Sequence, residues 1–471
     1  MTTPLPAAPS LEQLRKQAKQ LVCERREGTE PLRLSQAQLA LAREYGFPSW
    51  PRLKAYVERV TAGGPGLAHA FVDEIDYYQD RAEGLRSVVA SGLESGVALV
   101  RAHHPELADA SDAEIRALSP ADARLVLARE HGFPSWQAFR RHVLDLRESG
   151  EPFRRAFRAI QARDGEALGA LLDHYPGLVT ARGTNGNDLL GLAASTLCGR
   201  RDKAAVRDLL ARGADPNGAN DRGWTALHQA GYGNDCELAR LLLDAGARCD
   251  LYAHGEGGTP LAAALFWGHR EAGDLLAERE VVPLNLRVAA GLGRLDLIRA
   301  LVREDGSPSE AAGAARGFYR PHTGFPIWQP SDDRQEILDE ALVWAAKSDR
   351  VDVLGPLVEL GADLDADPYR GTALTSAAAN GHVATIVRLI ELGADVNRKG
   401  TFGGPDHGQG VTALHLAAQS GQMAAVQALL AAGADPMIAD ENHGGRPSGW
   451  ADYGGHRTIS KMLDAAEAKT P

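Results

Sequence analysis

The chain is poor in cysteine and carries no surplus of positive charge. Its 471 residues include four cysteines, and no two of them form a C-x-x-C pair. This usage argues against a disulfide framework and against a structural zinc knuckle, and it fits a reducing compartment. The formal net charge is −11, so we expect neither a sequence-independent grip on nucleic acid phosphates nor binding to anionic lipid.

Long apolar runs are missing as well. No stretch approaches the length needed to span a bilayer, and the first residues lack the basic segment and apolar core of a secretory leader. We therefore expect a cytoplasmic protein with no membrane partner. Arginine outnumbers lysine and alanine is abundant, which is typical of a bacterial sequence.

Recognised catalytic motifs are also lacking. The sequence contains no phosphate-binding G-x-x-x-x-G-K-[ST] loop, no G-x-S-x-G elbow and no kinase motif set. It has no H-E-x-x-H spacing that would support a metal site. We therefore expect no metal and no cofactor, and the sequence leans against an enzyme.

What the chain does have is a repeated pattern, seen most clearly at residues 411–436. Thr412 can cap a first helix, and Gly421 supplies the left-handed residue that ends it. A second helix with inward-facing leucines then ends at Gly433. A hairpin of two such helices cannot bury its own apolar face, so it needs copies of itself stacked on either side.

Copies of this hairpin recur at a period of about 33 residues. T-A-L-H stands at 225–228, T-P-L at 259–261 and T-A-L at 372–374, and a central G-H follows at 268–269 and 381–382. The pattern resembles the ankyrin-repeat family, T-P-L-H-x-A, then G-H, then L-L-x-x-G-A-D-x-N. The resemblance implies an all-α ankyrin-repeat solenoid of about nine helical-hairpin units with short β-like finger loops, over residues 153–468. It also implies that the histidines of the motif bridge loops.

A second, different repeat occupies residues 1–147. L-A-R-E-Y-G-F-P-S-W at 41–50 returns as L-A-R-E-H-G-F-P-S-W at 127–136, which indicates duplication of a helical hairpin. We place the copies at about 10–60 and 67–147. In each copy the glycine should end one helix, the serine should cap the next, and the aromatic residues should pack the two helices together.

Two departures from the repeat period lie close together in the predicted array. Residues 306–335 form a long insertion, and residues 398–410 lengthen one finger loop. Both should lie near the finger loop at 365–371, because fingers of successive units line one edge of such an array. The three segments predict a polar and aromatic pocket on a rigid scaffold, built from His322, Trp328, Tyr369, Arg370, Asp406 and His407.

Two hypotheses follow. In the first, the chain is a non-catalytic scaffold that binds a protein partner through its concave face and finger loops. Aromatic and arginine residues that the repeat does not need are the expected contacts, namely Arg222, Trp224, Tyr232, Phe266, Trp267, Trp328, Tyr369, Arg370, Phe402, Asp406 and His407. In the second, the pocket belongs to an enzyme or a small-ligand binder. The candidate catalytic residues are then His322 or His407 as acid and base, with Asp406, and Arg370 as an anion clamp.

Overall fold

The structure is a computed structural model, and it describes residues 5–6, 9–24, 32–61, 67–146, 150–279, 285–319, 330–402 and 408–468. Four candidate site residues, His322, Trp328, Asp406 and His407, lie outside these ranges. The chain divides into two compact units, residues 1–226 and residues 227–471. Among the described residues, no helix is both long enough and apolar enough to cross a lipid bilayer.

The duplicated region consists of helices. They are α1 (Leu11–Glu24), α2 (Leu34–Glu44), α3 (Trp50–Thr61), α4 (Ile75–Ala90), α5 (Glu94–His103), α6 (Asp112–Arg116), α7 (Pro120–Glu130) and α8 (Trp136–Asp145).

Paired helices follow, and the described residues contain nine such pairs. They are α9 (Pro152–Ala162) with α10 (Gly165–His174), α11 (Leu189–Leu197) with α12 (Ala204–Ala211), α13 (Ala226–Tyr232) with α14 (Cys236–Asp244), α15 (Pro260–Phe266) with α16 (Arg270–Ala277), α17 (Leu286–Gly291) with α18 (Leu295–Ala300), α20 (Arg334–Lys347) with α21 (Val351–Glu359), α22 (Ala373–Asn380) with α23 (Val383–Glu391), α24 (Ala413–Gln419) with α25 (Met423–Ala431), and α26 (Pro447–Tyr453) with α27 (Arg457–Glu467). The prediction of an all-α chain of about nine helical hairpins is confirmed.

Shorter elements lie between the pairs. These are α19 (Glu310–Gly313), the 3₁₀ turns Pro176–Val179, Thr184–Gly186 and Gly317–Tyr319, and the strands β1 (Gly400–Thr401) and β2 (Gln409–Val411). The two strands pair antiparallel, with Gly400 opposite Val411 and Thr401 opposite Gln409. This pairing is the β-like finger that the repeat pattern predicts for residues 398–410.

Both copies of the duplicated motif form the predicted corner. Gly46 and Gly132 have left-handed backbones, with φ of +76° and +83°, and Ser135 caps α8 by accepting a hydrogen bond from the Ala138 N–H at 3.3 Å. The copies also contact each other within the first unit. A Cβ on Gly46 would lie 1.9 Å from the Cβ of Pro134, so one corner packs directly against the other.

The second copy also holds the first finger turn in the same unit. Tyr78 Oη lies 3.3 Å from Thr184 Oγ1, and His131 Nε2 lies 3.2 Å from the same hydroxyl. Asn185 Nδ2 donates to Tyr77 Oη at 2.6 Å. The first compact unit therefore contains the duplicated region together with the first two helical pairs. That the repeats begin at a domain boundary at residues 147–153 stays a prediction.

The second unit is built from two layers of helices. The first helices of successive pairs contact one another, as α17 does with α20, α20 with α22, α22 with α24 and α24 with α26. The second helices form the other layer, in which α14 contacts α16 and α21 contacts α23. One apolar cluster runs between the layers from Leu286 to Leu463, which is how each hairpin covers the apolar face of the next.

Histidines of the repeat motif connect neighbouring loops, as predicted. His228 Nε2 donates to the Gly258 carbonyl at 2.9 Å, and His415 Nε2 donates to the Gly445 carbonyl at 3.1 Å. His382 Nε2 reaches the Lys347 carbonyl at 2.9 Å. These hydrogen bonds connect each hairpin to the next and stabilise the stack.

The described part of the insertion runs directly over the finger loop at residues 255–258. A Cβ on Gly257 would lie 1.8 Å from the Ala315 carbonyl oxygen, and a Cβ on Gly255 would lie 1.9 Å from that of Gly317. Gly257 also has a left-handed backbone, with φ of +76°. Only a residue without a side chain allows the two backbones to approach so closely.

We predict that Gly257→Ala lowers the free energy of unfolding by about 2 kcal/mol or more, because left-handed strain adds to a backbone clash. Gly246→Ala is the matched control, since Gly246 has a φ of +91° but a Cβ there would meet no atom within 4 Å. Urea unfolding of both variants measures the difference. Equal losses in the two variants would show that the insertion does not depend on this contact.

Candidate functional site

A buried ion cluster connects the insertion to two helices of the second unit. We define it as Arg287 on α17, Arg316 in the insertion, and Glu336 and Glu340 on α20. Arg287 Nη1 donates to Glu340 Oε1 at 2.6 Å, and Arg316 Nη1 donates to Glu340 Oε2 at 2.9 Å. Arg316 Nη1 also lies 3.3 Å from Glu336 Oε1. Both arginine side chains are only 1% exposed, so the carboxylate of Glu340, which they share, is essential to their burial.

The cluster stands at positions where other repeats carry ordinary repeat residues. Arg287 lies two residues after the cap Asn285, as Leu261 does after Thr259. Glu340 occupies the place of the capping threonine, because α20 begins earlier than its counterparts, at Arg334. A charged pair therefore joins a residue next to the core leucine Leu286 on one helix to the cap position of another.

An aromatic strip lies beside this cluster on the first-helix layer. We define the strip as Tyr232, Phe266, Trp267 and Trp344, with Lys347 at its end. The Tyr232 and Trp267 rings meet edge to face with centroids 5.4 Å apart, and Phe266 lies 5.3 Å from Trp267 and 6.1 Å from Trp344. Tyr232 is 42% exposed and Trp267 is 39% exposed. The strip is thus a continuous aromatic surface that is half open to solvent.

The strip forms because α15 reaches past its neighbour to contact α20 directly. The intervening helix α17 is only six residues long. Gly268, just beyond α15, allows the approach, since a Cβ there would lie 2.2 Å from the Lys347 carbonyl oxygen. Side chains of hairpins that are not consecutive in sequence consequently meet on one surface.

Lys347 lines a shallow cavity at the end of the strip. The cavity has a volume of about 10 Å³, and its walls are Phe266, Glu340, Val343, Trp344, Lys347, Pro368 and Tyr369. Lys347 Nζ lies 3.9 Å from the centroid of the Phe266 ring. Burial lowers the pKa of Lys347 to about 8, although Glu340 and Asp367 act in the opposite direction.

The finger loop at 365–371 borders this cavity and binds the next finger loop. Tyr369 is one of the cavity walls. Arg370 Nη2 donates to the Phe402 carbonyl oxygen, and Asp367 Oδ2 accepts from the Thr401 N–H at 2.6 Å. Two of the predicted contact residues, Arg370 and Phe402, are thus joined to each other, and Arg370 acts here as a connection between fingers.

Arg222 and Trp224 belong to the first unit. Both lie in the finger turn after Asn220, whose side-chain oxygen accepts hydrogen bonds from their two backbone N–H groups at 3.0 Å. Arg222 is exposed and Trp224 is half-buried. The predicted pocket residues His322, Trp328, Asp406 and His407 fall outside the described residues, so their proximity to Tyr369 stays a prediction.

Several site residues were not singled out from the sequence, namely Arg287, Arg316, Glu340, Trp344 and Lys347. The one signal in the sequence is Arg287 itself, a charged residue inside the apolar run of α17. Within the ranges that the structure describes, no group of three or more histidine, cysteine or acidic residues is placed to hold a metal ion.

The arrangement defines a class of protein, a repeat array that presents an open, partly aromatic surface. The family model for ankyrin repeats matches the chain in three copies, over residues 190–286 and 342–440. The chain therefore contains ankyrin repeats in these two stretches, and the long insertion lies between them. Ankyrin repeats typically mediate protein–protein binding, which places the chain among protein-interaction scaffolds.

One curated relative is similar over a short part of the chain. Protein PhlB of Serratia liquefaciens is 43% identical over 67 residues, which is 14% of this chain. The match spans 30% of the length of that relative, so the name of the relative does not indicate an activity for this chain.

We predict that Glu340→Ala lowers the free energy of unfolding by about 3 to 5 kcal/mol, because it leaves Arg287 and Arg316 buried without their shared carboxylate. The control is Asp296→Ala, which breaks an ion pair with Arg294 that is exposed on both sides. Surface pairs contribute little, so the control should barely change the urea midpoint. A small loss for Glu340→Ala would show that the cluster does not hold the insertion.

We also predict that Lys347→Met is more stable than the wild type at pH 7. A lysine whose folded pKa is lowered from 10.5 to about 8 keeps its charge at pH 7 but loses favourable hydration of that charge on folding. This cost is full below about pH 8 and disappears as the pH rises through 10.5, the unfolded value. The difference between the two proteins in urea unfolding should therefore shrink steadily between pH 8 and pH 10. A constant difference would contradict the lowered pKa.

Proposed function

We propose that the protein binds a protein partner through the first-helix layer and finger loops of its second unit, without performing chemistry. The observation that supports this is the exposure of Tyr232 and Trp267 within the aromatic strip. Tyrosine and tryptophan are the side chains most often found at the energetic centre of protein interfaces. Their rings combine a large apolar area with a polar edge that hydrogen-bonds at a wet rim.

The setting of these rings supports binding more than packing. Phe266 and Trp344 are the buried members of the strip. Trp267 packs on Phe266 and Tyr232 packs on Trp267, and these two rings keep much of their own surface open. The cost of leaving such area in water is about 25 cal/mol per Å². A partner that covers the strip would recover this cost, and the rigid helices below would hold the rings in place.

The experiment is capture by crosslinking. The wild type, Tyr232→Ala/Trp267→Ala and Val387→Ala are each incubated with lysate of the source cells, crosslinked and compared by quantitative mass spectrometry. Val387 is 44% exposed on α23 in the second-helix layer, so its substitution controls for loss of an exposed apolar side chain elsewhere. Circular dichroism confirms that each variant is folded.

We expect a partner that the wild type and Val387→Ala capture equally and that the double variant captures at least tenfold less, since one hot-spot side chain contributes about 2 kcal/mol or more. Capture that the double variant retains in full would place binding elsewhere and contradict the proposal.

A small-ligand or enzymatic function is the second candidate, and one observation favours it. Tyr369 borders a cavity together with Lys347 and Glu340, so the finger loop at 365–371 does contribute to a concave site. The volume of about 10 Å³ holds about one water molecule. Native mass spectrometry of the wild type and of the His322→Ala and His407→Ala variants tests this candidate. Extra mass that either variant loses would support it, and an unliganded mass in all three would contradict it.

A further inference from the structure

The cations beside the aromatic strip do not all have a direct carboxylate partner. Arg287, Arg316 and Lys347 are three cations, whereas Glu336 and Glu340 supply two carboxylates. Each oxygen of Glu340 already accepts a hydrogen bond from an arginine, at 2.6 and 2.9 Å. Lys347 is therefore the cation without a direct partner in the cluster, although the charges of Glu340 and Asp367 act on it from a distance.

The nearest other carboxylate is also engaged. Asp367 Oδ1 accepts from the Gly371 N–H at 2.6 Å. Its Oδ2 accepts from the N–H and the hydroxyl of Thr401, at 2.6 and 2.7 Å. Asp367 is therefore held by the finger loops and does not form a direct ion pair with Lys347.

Within the described ranges, Lys347 Nζ makes no hydrogen bond and no ion pair. An ammonium group has three N–H donors, and here its recorded contact is the face of Phe266 at 3.9 Å. Such a cation–π contact compensates only part of the lost hydration. The group lines the cavity and is not fully covered, so a partner atom can reach it from solvent.

We propose that Lys347 binds a carboxylate of the protein partner, on a segment whose neighbouring aromatic or leucine side chain packs on Tyr232 and Trp267. The inference rests on the proposed function and names the chemistry of the partner. A cavity of about 10 Å³ has room for about one water molecule, so it is too small for a separate ligand and can admit one oxygen of a carboxylate whose side chain stays outside. The carboxylate would supply the acceptor that the ammonium group lacks in a largely dry setting, where charge-assisted hydrogen bonds are strong.

The proposal predicts a peptide preference opposite to the one that the overall charge of the chain would favour. A chain with a net charge of −11 attracts basic segments in general. Preference for an acidic residue at one fixed position can therefore come only from a local cation. The proposal commits to that preference, against the direction of the global charge.

The test uses a random heptapeptide display library, selected on the full-length protein with elution by salt. Enriched sequences are synthesised as pairs in which the acidic residue is Glu or Gln. Their affinities are measured for the wild type, Lys347→Met, Lys347→Arg and Tyr232→Ala/Trp267→Ala. Lys399→Met is the matched control, because Lys399 pairs with Glu441 in an exposed position on another finger.

We expect one acidic position flanked by aromatic residues or leucine. The Glu peptide should bind the wild type at least tenfold more tightly than the Gln peptide, with Lys399→Met unchanged. The tenfold difference should disappear in Lys347→Met and persist in Lys347→Arg, which keeps the charge. A merely structural role of Lys347 would weaken both peptides of a pair equally.

The other outcomes separate this inference from the proposed function. In one of them the double variant fails to bind the enriched peptides, but those peptides share no acidic position. That result would overturn the role of Lys347 and leave the aromatic strip as the binding surface. Selection of basic peptides, or a Glu preference that survives in Lys347→Met, would also overturn the inference. Enriched peptides that the double variant binds as well as the wild type would overturn both proposals.

Discussion

The shared carboxylate of Glu340 is the contact on which the second unit depends. It joins α17, α20 and the insertion through two guanidinium groups that are almost completely buried. A buried ion pair seldom stabilises a protein more than well-packed apolar residues would, but losing one partner is severe. The insertion is thus fixed by a few directional bonds, and the position of everything that borders it, including Trp344 beneath Arg287, follows from them.

The aromatic strip is a consequence of irregularity in the repeats. In a regular array each hairpin contacts its two neighbours only. Here α17 is so short that α15 touches α20, and Phe266 consequently meets Trp344 and Lys347. Lys347 lies two turns after Glu340 on α20, and both oxygens of that carboxylate are already occupied. A surface with both exposed rings and a cation that has no direct ion pair is found where a shortened helix adjoins a lengthened one.

Local features of the fold could be predicted from the sequence, because each is set by a few adjacent residues. Thr259 caps α15 by accepting from the Ala262 N–H, Gly421 is left-handed, and the period alone gives the stacking. Tyr232 and Trp267 could also be predicted from the sequence, as aromatic residues that the repeat does not need. The ion cluster could not be predicted, because α20 begins two turns earlier than the motif indicates. A different residue therefore caps the helix, and Glu340 lies inside it. The contact between α15 and α20 depends on tertiary packing that no local pattern reports.

The duplicated motif of the first unit shows how one sequence acquires two structural roles. Glu44 in the first copy is exposed, whereas its counterpart Glu130 is buried beside Arg81 at 3.3 Å. Burial raises the pKa of Glu130, so the second copy accepts a cost that the first copy avoids. In return, Arg81 also donates to Asn185 in the first finger turn and lies 3.3 Å from Asp221 in the next. The second copy has therefore become the support of the first fingers, while the first copy keeps only the shared helical corner.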